Sequence, residues 1–362
     1  MASIANYKCP ACGGPLHFDS QTQKLKCDYC DSTYDPSEIE DLYNKKETEG
    51  SKDVSEQTWT EAEIATMHAY RCPSCGAEII VDDNTAATSC PYCNNPTINA
   101  TQFEGALKPN YVIPFKLKKE DAIQGLKTFY KNKPFLPKTF SNDNHIDEIK
   151  GLYVPFWLYD GLIKASADYH TTKVRSWTEG DYEVTNTRHY QVHREGDIQF
   201  EKVPADGASK MPDEFMDAIE PFEYKDLVPF KKSYLAGYYA DKYDVSSKDD
   251  EKRITVRMQN SAKSFLDASV GQYSTAVTEH AEMNLVNSHV SYAFLPVWIL
   301  ATKWNNKNYL FVMNAQTGKM IGDDLPIDKK KLLLTYLVTT AILFAIFYLV
   351  MVIMWGDCNE KM

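Results

Sequence analysis

Hydrophobic positions divide this chain of 362 residues into stretches of different period. Within residues 117–131, Ala122, Ile123, Leu126, Phe129 and Tyr130 recur at helical spacing and predict a helix. Residues 151–169 are apolar and β-prone, with Tyr153-Val-Pro-Phe-Trp157 inside them. Residues 188–203 alternate with period two, which predicts a hairpin turning near Glu195-Gly196-Asp197. Residues 213–220 read as a short helix stopped by Pro221. Over residues 252–285, Ile254, Met258, Ala262, Phe265, Leu266 and Tyr273 share one helical face, interrupted at Gly271. Residues 292–321 predict three short strands, with turns at Asn305-Asn306-Lys307-Asn308 and at Gln316-Thr317-Gly318. Residues 105–328 are therefore expected to form an α+β domain in which antiparallel strands predominate, large enough for its own core.

A weak echo runs through that domain. Val112-Ile-Pro-Phe-Lys116 returns as Leu227-Val-Pro-Phe-Lys231, and Val154-Pro-Phe-Trp-Leu158 returns as Leu295-Pro-Val-Trp-Ile299. Two related halves around a shared sheet would explain both pairs. Shared composition among β-rich aromatic segments would explain them too.

The pattern changes again at the C-terminal end. Residues 332–355 are twenty-four uncharged positions rich in Leu, Ile, Val, Phe and Met. As a helix rising about 1.5 Å per residue they would cross an apolar layer of about 30 Å with some tilt. Thr335, Thr339 and Thr340 can bond back to the backbone. Lys329, Lys330 and Lys331 precede this span, and only Lys361 follows it, with Asp357 and Glu360 in the tail of residues 356–362. The positive-inside bias then expects the large N-terminal part in the cytosol, with the tail across the membrane. The opening residues lack the apolar stretch of a secretory signal.

Candidate chemistry lies at the other end, in two copies of one cysteine pattern. Cys9-Pro-Ala-Cys12-Gly is followed fourteen residues later by Cys27-Asp-Tyr-Cys30, and Cys72-Pro-Ser-Cys75-Gly, after the same interval, by Cys90-Pro-Tyr-Cys93. A CxxC turn lets two thiolates reach one ion, and Gly13 or Gly76 can relax the turn at positive φ. Two such turns joined by a hairpin make a tetrahedral four-cysteine cage, so residues 1–35 and 70–100 each read as a zinc ribbon holding one structural Zn2+. Disulfides fit a secreted module, which the missing signal argues against. Iron in a rubredoxin-like cage is the other metal that this ligand set admits. Four thiolates leave no open position for a water, so the sites are expected to fold the protein and not to catalyse. Cys358 lies in the tail beyond both cages and is expected to be a bystander, or at most an intermolecular or lipid-modified thiol.

Charge separates the two ribbons. The formal net charge is −11, and residues 35–63 carry ten acidic residues against Lys45, Lys46 and Lys52. Residues 36–69 are thus expected to be an acidic, solvated linker, with a short helix around residues 37–44, on which the ribbons move relative to each other.

The double CPxCG ribbon, Tyr153-Val-Pro-Phe-Trp157, Leu295-Pro-Val-Trp298, the Asn314-Ala-Gln-Thr-Gly-Lys319 turn and the terminal span together resemble one bacterial family. It is that of membrane-anchored, TFIIB-type zinc-ribbon proteins, often labelled by analogy with the primosomal helicase. The resemblance implies association with SPFH-domain (flotillin-like) or phage-shock-type proteins in membrane-stress assemblies. The helicase label fails on the residues. A P-loop needs Gly five positions before its Gly-Lys and a hydroxyl after it. Thr317-Gly318-Lys319 has Met313 upstream and Met320 downstream, and reads as a β-turn.

No GxSxG elbow or HExxH helix is present, so no enzymatic activity is expected. His189 and His193 share a strand face but stand about 13 Å apart. His280 and His289 are separated by an expected helix end. Because no Asp, Glu or Cys completes a cluster, these histidines read as surface or packing residues. The Tyr-Pro-Phe-Trp aromatics read as core. Nucleic acid is the rival partner to protein, since ribbons often bind it. Yet Lys8, Lys24 and Lys26 face Asp19, Asp28 and Asp31, and Arg71 faces Glu78, Asp82 and Asp83. With a pI near 5.3 the field repels a polyanion. The expected function is a non-enzymatic adaptor that recruits protein partners to the bilayer.

Overall fold

The structure is a computed structural model that describes residues 9–12, 14–43, 59–64, 67–82, 89–96, 98–101, 107–131, 133–143 and 148–359. Gly13, Lys8, Asp83 and the acidic stretch of residues 44–58 lie outside the described residues. The fold is α+β, as the periodicities require. Ribbon one holds β1 (Leu16–Asp19), β2 (Lys24–Cys27) and β3 (Thr33–Tyr34), followed by α1 (Pro36–Tyr43) and α2 (Glu61–Ile64). Ribbon two is framed by β4 (Met67–Arg71), β5 (Glu78–Asp82) and β6 (Asn99–Thr101). The domain continues with β7 (Tyr111–Val112), α3 (Lys119–Lys131), α4 (Lys138–Asp143), β8 (Lys150–Glu179), β9 (Tyr182–Asp206), α5 (Asp213–Ile219), β10 (Val228–Pro229), β11 (Tyr239–Asp241), α6 (Ser247–Ala268), β12 (Thr275–Trp304), β13 (Lys307–Asn314) and β14 (Met320–Gly322). The apolar helix α7 spans Lys329–Asn359.

Eleven strands form one sheet, along the path β10-β7-β12-β8-β11-β5-β4-β6, with β9, β13 and β14 attached to its long strands. Ribbon two is therefore part of the main sheet: β5 pairs with β11 through Ile80 opposite Ala240. Ribbon one packs on the same segment by its hairpin. The Phe18 N–H donates to the Ala236 carbonyl at 3.2 Å, and the Phe18 ring meets Tyr234 at 5.3 Å. The Gln23 amide donates to the Phe115 carbonyl at 2.7 Å. The expectation of two ribbons moving on a tether is thus corrected. Leu16, Phe18 and Leu25 in ribbon one, and Ile79, Ile80 and Val81 in ribbon two, are buried, and hydrophobic burial seats both modules on the domain.

Two halves are visible in the topology, and the register gives their correspondence. In each half a short strand leads through a helix into a long strand and a hairpin: β7-α3-β8-β9 and β11-α6-β12-β13. β8 and β12 pair antiparallel about a local two-fold axis, with Trp157 opposite Tyr292 and Trp298 opposite Gly151. β7 runs parallel to β12, Val112 beside Phe294, and β11 runs parallel to β8, Ala240 beside Tyr153. The Trp157 indole donates to the Val245 carbonyl at 2.9 Å and the Trp298 indole to the Leu117 carbonyl at 3.0 Å. Each of those carbonyls lies two residues before the other half's helix. The second echo is therefore a structural repeat. The first is not: Val228 is the antiparallel neighbour of Val112, while the counterpart of β7 is β11.

Three sequence readings are revised. The hairpin of residues 188–203 does not turn at Gly196, which lies opposite Ala165 within continuous β9. The turn is at Gly180, whose φ of +62° suits glycine, because period-two alternation continues through 195–197 and gives no stop there. The helix expected within residues 252–285 is α6, Ser247–Ala268, and residues 275–285 belong to β12, so the strand of residues 292–304 is the end of a thirty-residue one. The expected turns at Asn305-Asn306 and Gly318 are present, with φ of +48°, +63° and +80°. As expected for a helix stopped by Pro221, α5 ends at Ile219. Asn314 is buried and ties the second turn down: its amide donates to the Ile219 carbonyl at 3.0 Å, and its oxygen accepts from the Gln316 and Thr317 N–H groups.

The aromatics pack as core. Phe115 stacks on Tyr238 at 3.9 Å and meets Tyr153 and Trp298 edge-on. Beyond the core, β8, β9 and the start of β12 continue as a three-stranded arm. At about 3.3 Å per residue a thirty-residue strand approaches 100 Å. Helix α6 covers one face of the arm through Met258, Ala262 and Leu266, and the other face is open and polar.

Candidate metal centres

Each cysteine quartet converges as its spacing requires. The Sγ atoms of Cys9 and Cys30 lie 3.5 Å apart and those of Cys12 and Cys27 3.4 Å apart. In ribbon two, Cys72–Cys93 and Cys75–Cys90 are both separated by 3.6 Å. All four sulfurs of each quartet lie within 4.8 Å of one another. A disulfide needs about 2.05 Å. A tetrahedron with metal–sulfur bonds of about 2.3 Å has edges of about 3.8 Å. The donor set therefore fits one tetrahedral ion per ribbon, and these are two four-cysteine metal-binding sites.

The turns explain why the sulfurs meet. Each first cysteine donates its N–H five residues ahead: Cys72 to Ala77 at 2.9 Å, Cys90 to Asn95 at 2.9 Å, Cys27 to Ser32 at 3.0 Å and Cys9 to Gly14 at 2.7 Å. The residue four ahead takes positive φ: Gly76 at +78°, Asp31 at +56° and Asn94 at +55°. Asp and Asn tolerate that region, so the spacing rule that singled out Gly13 and Gly76 missed the other two knuckles. Sequence reasoning also missed the groups around the sulfurs. The Tyr34 hydroxyl lies 3.5 Å from Cys9 Sγ, and the Ser32 hydroxyl 3.2 Å from Cys30 Sγ.

Packing four thiols together splits their acidities. Burial opposes the Cys9 thiolate, yet Tyr34 and the Cys12 and Ala11 N–H groups outweigh it and hold the thiol at about 6. Cys12 receives help from the Gly14 backbone, but its sulfur neighbours Cys30 and Cys27 push it up to about 12. In ribbon two, burial works against Cys72, which the Cys75 and Ser74 backbone nonetheless holds at about 7, while burial pushes Cys75 up to about 11. Four adjacent thiolates require a cation to ionise together, and a coordinated thiol loses its proton outright.

The two ribbons differ in how the equivalent tyrosine is used. In ribbon two, Tyr92 sits between Cys90 and Cys93 and donates its hydroxyl to Asp241 of β11. Lys150 reinforces this seat by donating to the Ser89 carbonyl at 3.1 Å. In ribbon one the matching Tyr29 is 78% exposed, beside the exposed Cys12 and Cys30.

Burial pushes the Asp241 carboxyl up to about 8, against the lowering hydrogen bond from Tyr92. Its native state thus holds a proton that the unfolded chain releases above about pH 4. Asp241 then contributes less stability as pH rises from about 4 through 8. Asp241→Asn is expected to flatten that decline, measured as thermal midpoints at pH 6.5 and 8.5 in both proteins. An unchanged difference between the two pH values would refute the assignment.

Helix α7 fits its sequence reading. An eighteen-residue stretch within Lys329–Leu349 has a mean hydropathy of 2.2 and none of it is buried against the domain, so α7 is long and apolar enough to cross a membrane. Asp328 caps its start, accepting from the Lys330 and Lys331 N–H groups at 3.1 Å. The Thr335 hydroxyl donates to the Lys331 carbonyl, and the Thr339 and Thr340 hydroxyls both donate to the Tyr336 carbonyl.

No family model matches the chain, and no solved structure matches it. The uncharacterized protein YdjG of Bacillus subtilis (strain 168) is 31% identical to it over 333 residues, covering 91% of this chain and 92% of that protein. With likeness spanning nearly the whole of both proteins, the chain belongs to the family of YdjG.

Proposed function

We propose that this chain is a non-enzymatic adaptor: a single-pass membrane protein whose zinc ribbons and α+β domain bind protein partners at the cytosolic face of the bilayer. The observation that carries this reading is the contrast between Tyr29 and Tyr92. One ribbon spends its knuckle tyrosine on the chain's own Asp241, while the other presents the same residue to solvent. A large exposed aromatic beside a rigid metal-held turn is the anchor type that protein interfaces favour. The metal is zinc in this reading, because cytosolic four-thiolate cages of this spacing are closed structural zinc sites. Lys329, Lys330 and Lys331 support the orientation. The resemblance to membrane-anchored zinc-ribbon proteins makes an SPFH-domain or phage-shock-type protein the first partner to test.

The rival is a membrane-tethered nucleic-acid binder. Ribbon-one lysines are already paired, Lys24 with Asp35 at 3.4 Å and Lys26 with Asp31 at 2.9 Å, which leaves no basic stripe among the described residues of that ribbon. Full-length protein in detergent is expected to leave DNA and RNA unshifted at physiological salt. It is expected to retain a purified SPFH-domain or phage-shock-type protein, and Tyr29→Ala to lose that retention at an unchanged thermal midpoint. Sub-micromolar, salt-sensitive DNA binding without a protein partner would establish the rival instead.

A further inference from the structure

Two of the chain's eight histidines, His193 and His280, come together on the open face of the arm, where strand register does what sequence spacing could not. Asp168 of β8 lies directly opposite His193 of β9 on one side and His280 of β12 on the other. The next row places Glu195 and Glu282 on either side of Ser166. Sequence spacing gives these histidines only their own-strand glutamates and does not join the two strands. The fold supplies several.

A β-bulge sharpens the arrangement. The β8–β12 register shifts between Thr278 and His280, so the extra residue Glu279 joins His280 on the same face. Gln191 holds the Glu279 carboxylate there at 3.0 Å. Bulges re-aim side chains in this manner beside functional sites. Asp168, Gln191, Val192, His193, Glu279 and His280 line a depression of about 400 Å³.

The hydrogen bonds already orient the donors. His193 Nδ1 lies 2.7 Å from Asp168 Oδ1. An ionised carboxylate only accepts, so Nδ1 carries a proton and Asp168 fixes the orientation of the ring. This carboxylate–histidine pairing is how metal-binding imidazoles are commonly held. Nε2 of His193 points toward Glu195 at 3.5 Å, and Nε2 of His280 toward Glu282 at 3.2 Å. Each Nε2 thus donates a proton to a carboxylate, and a bound ion takes the place of that proton.

We propose that this face holds a third metal centre, in which His193 and His280 bind one divalent first-row transition ion, Asp168 orients His193, and the flanking glutamates complete the sphere. The outer strands are two strand spacings apart, about 10 Å, a span that inward-leaning imidazoles close on one ion at metal–nitrogen distances of about 2.1 Å. Unlike the cysteine quartets, this set does not have three ligand atoms within 4.8 Å of one another. Rotation of these exposed side chains is the movement that the proposal requires. The imidazole–carboxylate donors suit borderline and harder ions, which separates this site from the thiolate cages. Side-chain exposures of 54% for His193 and 65% for His280 leave water in the sphere and make the ion exchangeable.

The test uses full-length protein in detergent, loaded with two equivalents of zinc and then titrated with Co2+, with bound metal counted by equilibrium dialysis. A third equivalent is expected, with the weak absorption of a nitrogen–oxygen site and no thiolate-to-cobalt charge transfer. His193→Ala and His280→Ala are each expected to weaken it at least tenfold, and the double variant to abolish it, at an unchanged thermal midpoint. His289→Ala, further along β12, is expected to leave it intact. Binding that stops at two equivalents would overturn the proposal. So would a third equivalent that displaces zinc from the thiolates, or one that both single variants leave unchanged.

Discussion

Cys72→Ser combined with Cys75→Ser is expected to lower bound zinc from two ions per chain to one and to destabilise the whole domain. The reason is topological. Binding at a structural zinc site contributes on the order of 10–16 kcal/mol to the fold that it organises, comparable with or larger than the roughly 5–15 kcal/mol that holds a typical domain together. In ribbon two that energy organises β4, β5 and β6, which are strands of the main sheet. Its loss exposes the edge of β11 and the buried Ile79, Ile80 and Val81, and removes the Tyr92 donor from Asp241. The matched pair, Cys9→Ser with Cys12→Ser, also lowers zinc to one ion. That pair disrupts a separate three-stranded sheet, so the fall in thermal midpoint is expected to be smaller. Metal analysis and calorimetry on the two double variants decide the matter. Equal falls in midpoint would show that ribbon two does not support the sheet, and iron in the native protein would replace zinc in the proposed function.

The second large effect concerns the membrane. Deleting residues 329–362 is expected to move the protein from the membrane fraction into the soluble one, because no residue of α7 from Lys329 to Leu349 is buried against the domain. In the intact chain, a reporter fused after Met362 should be reached from outside the cell and one at Met1 should not. Replacing Lys329, Lys330 and Lys331 with glutamate should erode that bias by removing the positive charge next to the span. Release of the native protein by carbonate washing, or the reverse labelling pattern, would refute a spanning helix in this orientation.

What could be read from residues alone follows how local the physics is. The cysteine cages were legible because ligand geometry is set within a few residues of each CxxC turn. What escaped notice was Asp31 and Asn94, doing a glycine's work in the left-handed region, and the Tyr34 and Ser32 hydroxyls beside the sulfurs. Helix α7 was legible because twenty-four uncharged positions have no aqueous fold of their own. Residues 275–285 were misread because Thr-Ala-Val-Thr-Glu-His-Ala-Glu-Met-Asn-Leu satisfies both helical and strand periods. Its strand state is decided by partners, beginning with Ser274 N–H on the Thr172 carbonyl at 2.7 Å.

The sequence by itself thus determined the two four-cysteine sites, the α+β class and the apolar terminal helix, each a property of short-range spacing or bulk polarity. Tertiary structure decided where those parts sit. Pairing of β5 with β11 made one ribbon a member of the sheet, and the hairpin contacts of Phe18 and Gln23 fixed the other. Cross-strand register, which a single strand does not encode, related Trp157 to Trp298 and set His193 and His280 on either side of Asp168. Register is chosen by long-range burial and pairing, so groups more than a hundred residues apart in the chain become neighbours only after the sheet has formed.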